Sequence, residues 1–290
     1  MAEAPDMQTQ ETQTQAVQKQ ESGTVKKKKG IPGSTLKIIA IVTMLIDHIG
    51  AAILEKILMA EGIADITTQE QWVEFMKLHG GVYYADMVMR LIGRIAFPLF
   101  CFLLVEGVVH TSNKVKYMTR LFVFALISEI PFNLAVSSKM FYGEHQNVFF
   151  TLFIGVAVLC AFEKMGEFYE QGALAFFPER LQKVTLVMAR LFILVTGMGI
   201  AALLKTDYDA WGVLCIAMIY VFRKKRMLSI GAGCLTLVIM SFSEITCPIA
   251  MIPVAMYNGE RGMKLKYFFY IFYPAHLLLL ALIGKMMGIM

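Results

Sequence analysis

The sequence predicts an all-α, polytopic membrane helix bundle of about nine transmembrane helices, with its N-terminus inside and its C-terminus outside. Three observations predict it. Of 290 residues, 57% are hydrophobic and 17% charged, and the mean hydropathy is +0.61. That is more apolar surface than one soluble core of this length can bury. Apolar stretches close to the roughly 20 residues needed to cross about 30 Å of hydrocarbon recur along the chain. The basic residues sort the intervening loops onto two sides.

Residues 1–33 read as a disordered cytoplasmic tail. They are rich in Gln, Thr and Lys and nearly free of large apolar side chains, too little to offset the entropy of ordering. Lys26 to Lys29 abut the first span and read as a juxtamembrane anchor on anionic lipid, with no nucleic-acid partner expected. The first apolar run starts near residue 36, behind this polar leader, and is too long for a signal sequence. Residues 34–290 form the membrane domain.

Spans are predicted at about 35–55, 87–109, 117–137, 147–165, 184–204, 208–222, 227–243, 246–258 and 267–287. The sixth and eighth are short, and the eighth, TCPIAMIPVAMY, carries Pro248 and Pro253. Charge supports the count. With the N-terminus inside, the inner segments hold Lys19, Lys26 to Lys29, Lys37, Lys114, Lys116, Arg120, Lys164, Arg180, Lys183, Arg190, Arg223 to Arg226, Arg261, Lys264 and Lys266, which is 20 of the 27 basic residues. Lys56, Lys77, Lys139, Lys205 and Lys285 fall outside, and Arg90 and Arg94 lie within the second span. Arg223 to Arg226 and the RGMKLK stretch must both be inside, so the chain has to cross twice between them.

Residues 56–86 form the longest outer loop. Trp72, Phe75, Met76 and Leu78 recur there at helical spacing, which predicts a short amphipathic surface helix. The stretch 166–183 reads as a second surface segment, on the inner side. Cys101, Cys160, Cys215, Cys234 and Cys247 are scattered, with no zinc spacing and no disulfide framework, so they read as packing residues and no metal is expected. Phosphate-loop, GxGxxG, GxSxG and HExxH patterns are absent.

Polar residues within spans carry the functional signal, because an ionised group near the bilayer centre costs on the order of 2.5–3.5 kcal/mol and faces a polar interior. Asp47 and His48 lie in the outer half of the first span. Arg90 and Arg94, spaced i, i+4, lie in the outer half of the second. Glu129 and Asn133 flank Pro131 in the third, Asp207 to Asp209 form an outer turn, and His276 sits near the middle of the last span. Five segments therefore bring polar groups to a similar depth. Three function classes accommodate such a cluster: an acyltransferase, a proton-coupled transporter using Asp47, Glu129 and His276, and a membrane assembly scaffold. The transporter lacks a recognisable repeat, and the scaffold leaves the buried charges without a role.

The blocks STLKIIAIVTMLIDHIG, RLIGRIAFPLFCFLLVEGVVHTSNKVKYMTRLFVFALISEIPFNLA, NVFFTLFIG, DYDAWGVL, YNGERG and FYIFYPAH resemble the TraX family of membrane proteins, in order, over about residues 34–276. The resemblance implies a bacterial inner-membrane acetyltransferase, since the founding conjugation member acetylates the N-terminus of pilin. It also implies kinship with transmembrane acyltransferases that take acyl groups from cytosolic acyl-CoA. In the family-three members a His closes the first helix, an Arg-rich segment leads to a Pro, and the last helix carries an aromatic-x-x-His pattern. His48, Arg94 with Pro98, and His276 are similar.

The chemistry agrees with that implication. Imidazole, with an ordinary pKa near about 6.5, can take the proton of an acceptor amine or hydroxyl. Arg94 or Arg90 can face the oxyanion of a tetrahedral intermediate. Adjacent helical residues point about 100° apart, so Asp47 is expected to pair with Arg94, leaving Glu129 or a neighbouring helix to orient His48. Arg90, Tyr273, Arg223, Lys224 and Arg261 are counted as donor-binding residues for acetyl-CoA. The expected partners are acyl-CoA and an extracytoplasmic acceptor, a protein N-terminus or a glycan, with homo-oligomerisation left open.

Overall fold

The computed structural model describes residues 29–263 and 266–289, so the tail reading over residues 1–28 lies outside the described residues. Ile31–Met290 forms one compact unit. Its helices are α1 (Gly33–Ile49), α2 (Glu55–Ala60), α3 (Gln69–Gly93), α4 (Ala96–His110), α5 (Lys114–Ser137), α6 (Val148–Glu170), α7 (Glu179–Leu203), α8 (Asp209–Val221), α9 (Arg226–Met240), α10 (Met251–Ala255) and α11 (Lys266–Met286). Among the described residues, β pairing is limited to the isolated bridges Ile31 with Tyr257 and Gln146 with Thr206.

Six helical stretches are long and apolar enough to cross a membrane: Gly33–Ala60, Gln69–His110, Lys114–Ser137, Val148–Glu170, Glu179–Leu203 and Tyr267–Met286. Three shorter apolar helical segments, Asp209–Val221, Arg226–Met240 and Phe242–Ala255, join them. The chain is a multi-pass membrane protein. Helix α8 is the hub, packing on α4, α6, α7 and α9. It is apolar on all sides, as a helix surrounded by helices must be, and Val213, Cys215, Ile216 and Ile219 are wholly buried. Glycine makes one such approach possible: a Cβ on Gly155 of α6 would lie 2.4 Å from Ile216 Cδ1, the small-residue packing typical of membrane interfaces.

The sequence reading differs from the structure in three places. The amphipathic segment of the 56–86 loop is not a separate short helix. It begins α3 at a Thr68 capping box with Gln71 and runs unbroken to Gly93. The predicted second span instead breaks at Arg94 and Ile95, because Pro98 lacks an N–H and its ring crowds the carbonyl of the residue four before it, Arg94. The cysteines are not all isolated. Cys101 lies against Cys215, while Cys234 and Cys247 each donate a thiol proton to the other's carbonyl at 3.4 Å, all as free thiols.

Irregular backbone gathers around Arg90 and Arg94. α1 passes into a π-helical segment, Gly50–Leu54, directly after His48, and such bulges favour functional sites. Between α9 and α10 the chain makes two short 3₁₀ turns, Phe242–Glu244 and Cys247–Ala250, with Pro248 in the second, while Pro253 lies inside α10. Tyr208 and Asp209 sit in left-handed conformation at φ 61° and 49°. Non-helical backbone at membrane depth survives where protein or a polar cavity surrounds it.

Candidate functional site

His48, in the last turn of α1, meets His276 of α11. Nδ1 of His48 lies 2.5 Å from Nε2 of His276, and the rings are parallel within 7° at 4.9 Å between centroids. Nδ1 of His276 lies 2.7 Å from the carbonyl oxygen of Phe272. A carbonyl only accepts, so the proton of His276 is on Nδ1. With both imidazoles neutral, Nε2 of His276 is then an acceptor, and His48 must donate from Nδ1. The lone pair of His48 is thereby left on Nε2. Tyr273 packs edge-on against His48 at 5.9 Å, and its hydroxyl is hydrogen-bonded to the backbone of Val148.

Two ion pairs stand beside this dyad. Arg90 Nη1 is 2.8 Å from Asp47 Oδ2, and Arg94 Nη1 is 3.1 Å from Glu244 Oε1. The expected Asp47–Arg94 pairing is therefore corrected. Asp47 faces α3 one turn above the break, so Arg90 reaches it, while Arg94 at the break turns to the broken segment that carries Glu244. Gly93 allows this approach, since a Cβ there would fall 2.2 Å from Asp47 Cβ. The Tyr208 hydroxyl also lies against Arg94, and its ring stacks on Phe97 at 3.7 Å.

Glu129 does not orient His48. Its carboxylate accepts from Asn147 Nδ2 at 2.6 Å and from Asn133 Nδ2 at 3.3 Å. Asn147 in turn caps α6 through Phe149 N and donates to the Ala125 carbonyl at 2.8 Å. Glu129 is the anchor of the α5–α6 junction, which holds the Tyr273 contact in place. The remaining expected donor residues stand at the far end. Arg223 stacks on Tyr220 at 3.9 Å and donates to its carbonyl, Lys224 is exposed, and the Arg261 carbonyl accepts from Ser34 N at 3.0 Å. His48 is about 21 Å further along α1 from Ser34 at 1.5 Å per residue.

Glu244 is a site residue absent from the sequence reading, and Tyr208 enters that reading only as part of the Asp207 to Asp209 turn. Glu244 is only 1% exposed, in a segment whose two prolines read as an imperfect span; the one available signal was a lone carboxylate inside an apolar stretch. A cavity of about 450 Å³ opens beside the ion pairs, lined among others by Glu55, Tyr83, Asp86, Arg90, Arg94 and Ser243. Asp47 Oδ1, Asp86 Oδ1 and Glu244 Oε2 are buried without a hydrogen-bond partner. The arrangement thus offers a base nitrogen on His48, and beside the dyad an open cavity whose wall carries two fixed guanidinium groups and the unpartnered Asp86 oxygen.

The family model described as TraX protein matches residues 32–284, covering the whole bundle up to the last turn of α11. A curated relative, the probable fimbrial assembly protein FimC, serogroup H1, of Dichelobacter nodosus, is 29% identical over 224 residues, 66% of this chain and 81% of that protein. No solved structure matches.

Proposed function

Because the chain belongs to the TraX family, we propose that it is a membrane-embedded acyltransferase of the bacterial inner membrane. It moves an acetyl or similar group from cytosolic acyl-CoA to an acceptor at the opposite face. The bundle crosses nine times in this reading, with the N-terminus inside. The relative named as a fimbrial assembly protein favours a pilin-type N-terminus as the acceptor, with an envelope glycan as the other acceptor class.

The observation that carries the reading is the hydrogen-bond chain from the Phe272 carbonyl through His276 to His48. It leaves Nε2 of His48 as a base whose tautomer is set by its neighbours, the arrangement that proton abstraction requires. The acceptor enters the cavity beside Arg90 and Arg94. His48 Nε2 takes its N–H or O–H proton as the acceptor atom attacks the thioester carbonyl. The oxyanion of the tetrahedral intermediate faces the guanidinium groups that Asp47 and Glu244 hold in place. On collapse the C–S bond breaks, and the departing thiolate receives the proton back from His48.

The test is transfer of labelled acetyl from acetyl-CoA, by purified protein in liposomes, to a pilin N-terminal peptide or a glycan. Transfer that depends on His48 supports the reading. Retention of label on the donor with every acceptor class, in folded protein, would overturn it.

A further inference from the structure

A second cavity lies at the opposite end from the ion pairs and has no role in the chemistry above. It measures about 580 Å³ and is lined by Asn113, Lys116, Thr119, Arg120, Val123 and Phe124 with Val115, along one face of α5. Its two cations differ from several basic residues of that end whose donors are already taken. Lys114 is ion-paired to Glu163, Lys183 to Glu179, and Arg226 donates to the Tyr257 carbonyl at 2.5 Å. Lys116 and Arg120 form no ion pair among the described residues, and Arg120 Nε is buried with no hydrogen-bond partner. The guanidinium is held instead by aromatic rings, 5.6 Å from the Tyr117 centroid and against the Tyr270 hydroxyl. Such a cation is fixed in position, with one donor on the Tyr270 hydroxyl and Nε left without a partner, which suits a phosphate.

The cavity also connects to the dyad through touching rings. Phe124 stacks on Tyr270 at 4.9 Å, Phe149 lies 6.2 Å from Tyr270 and 5.1 Å from Tyr273, and Tyr273 abuts His48 at 5.9 Å. From Tyr270 to His276 the rise along α11 is about 9 Å, shorter than an extended pantetheine arm. We propose that this cleft is the port for the phosphate-bearing end of a coenzyme-A thioester, whose arm runs beside Tyr270 and Tyr273 and delivers the thioester to His48. The proposal rests on the acyltransferase reading and moves the donor site from Arg223, Lys224 and Arg261 to Lys116 and Arg120.

The full chain in phosphatidylcholine nanodiscs is titrated with CoA, and transfer from acetyl-CoA is measured in parallel. Lys116→Gln and Arg120→Gln should each weaken CoA binding about tenfold, the loss of one charge-assisted phosphate contact. They should raise KM for acetyl-CoA with little change in kcat. Thr119→Trp, which keeps both cations and fills the cleft, should abolish CoA binding, and Lys183→Gln should leave it unchanged. Wild-type affinity in all three cleft variants overturns the port while leaving the acyltransferase reading standing. Phosphatidylglycerol that occupies these residues without slowing transfer assigns the cleft to lipid and also overturns it. Neither CoA binding nor transfer by the wild-type protein overturns both.

Discussion

At the scale of single residues, the two imidazoles are chemically unequal although their rings are stacked. His276 has both nitrogens engaged, one by the Phe272 carbonyl and one by His48, whereas Nε2 of His48 is engaged by neither. His48→Ala is therefore expected to lower kcat by about 10²- to 10⁴-fold, the ordinary contribution of a general base. His276→Ala should cost less, about 10- to 10²-fold, because it releases the tautomer without removing the base. His276→Asn should recover part of that loss, since an amide oxygen can again accept from His48 Nδ1. Single-turnover acetyl transfer in liposomes checks the order, and equal losses for His48→Ala and His276→Asn would refute it. A second residue-scale prediction concerns Gly93. Its alanine variant must displace Asp47, so we expect about 1–3 kcal/mol of overpacking destabilisation, read as a lowered thermal midpoint in detergent.

At the scale of elements, the site is assembled from helix breaks, and this explains what the sequence could and could not disclose. Spans such as α5 and α6 were legible because length and hydropathy need no knowledge of partners. Asp47, His48, Arg90, Arg94 and His276 were legible because an ionisable group inside an apolar run is conspicuous. The pairings were not. Which arginine meets Asp47 depends on where α3 stops, and Arg94 finds Glu244 because the chain after α9 leaves the helix for the turn Phe242–Glu244. Contacts between breaks far apart in the chain leave no local pattern. The port at Lys116 and Arg120 was hidden for a related reason: in sequence these are two more inner-loop cations, and only packing shows which cations lack a carboxylate.

The loop between α5 and α6 supplies a pH-dependent prediction on the same scale. It is zipped to the turn before α8 by Gln146 N to Lys205 O at 2.9 Å and Asp207 N to Gln146 O at 2.8 Å, with His145 Nε2 lying 3.7 Å from Asp207 Oδ1. The Asp207 carboxylate beside it outweighs burial and raises His145 above its ordinary value. A raised histidine contributes stability that is complete below the unfolded pKa of about 6.5 and is lost as pH climbs through the folded value. After correction for intrinsic exchange, the amides of Gln146 and Asp207 should be better protected at pH 6 than at pH 8. His145→Asn should remove that difference, and a difference that survives the substitution would refute the assignment.

At the scale of the whole molecule, the two ends of the bundle differ in charge. Lys37, Lys114, Lys116, Arg120, Arg226 and Arg261 gather where α1 begins and α4 ends, tied there by Gly33 N to Glu260 O at 2.7 Å and by the Arg226 bond to Tyr257. The cavity lined by Glu55, Asp86, Arg90 and Arg94 lies at the other end, beyond the dyad. In the proposed reaction an acyl group would enter at the basic end, meet the base partway across and leave through the cavity at the other end, so that transfer and crossing would be one event. This requires the basic end to face the cytoplasm, where acyl-CoA is made, in agreement with the excess of Lys and Arg on inner loops. A reporter inserted between α8 and α9, at Arg223 to Arg226, should then read as cytoplasmic, and one fused after Met290 as extracytoplasmic. If both read on one side, the count of nine crossings is wrong by one. The broken segment Thr246–Tyr257 would then be re-entrant, holding Glu244 against Arg94 without passing through the bilayer. If both sides are reversed, the basic port faces away from the cytosolic donor and the vectorial reading fails.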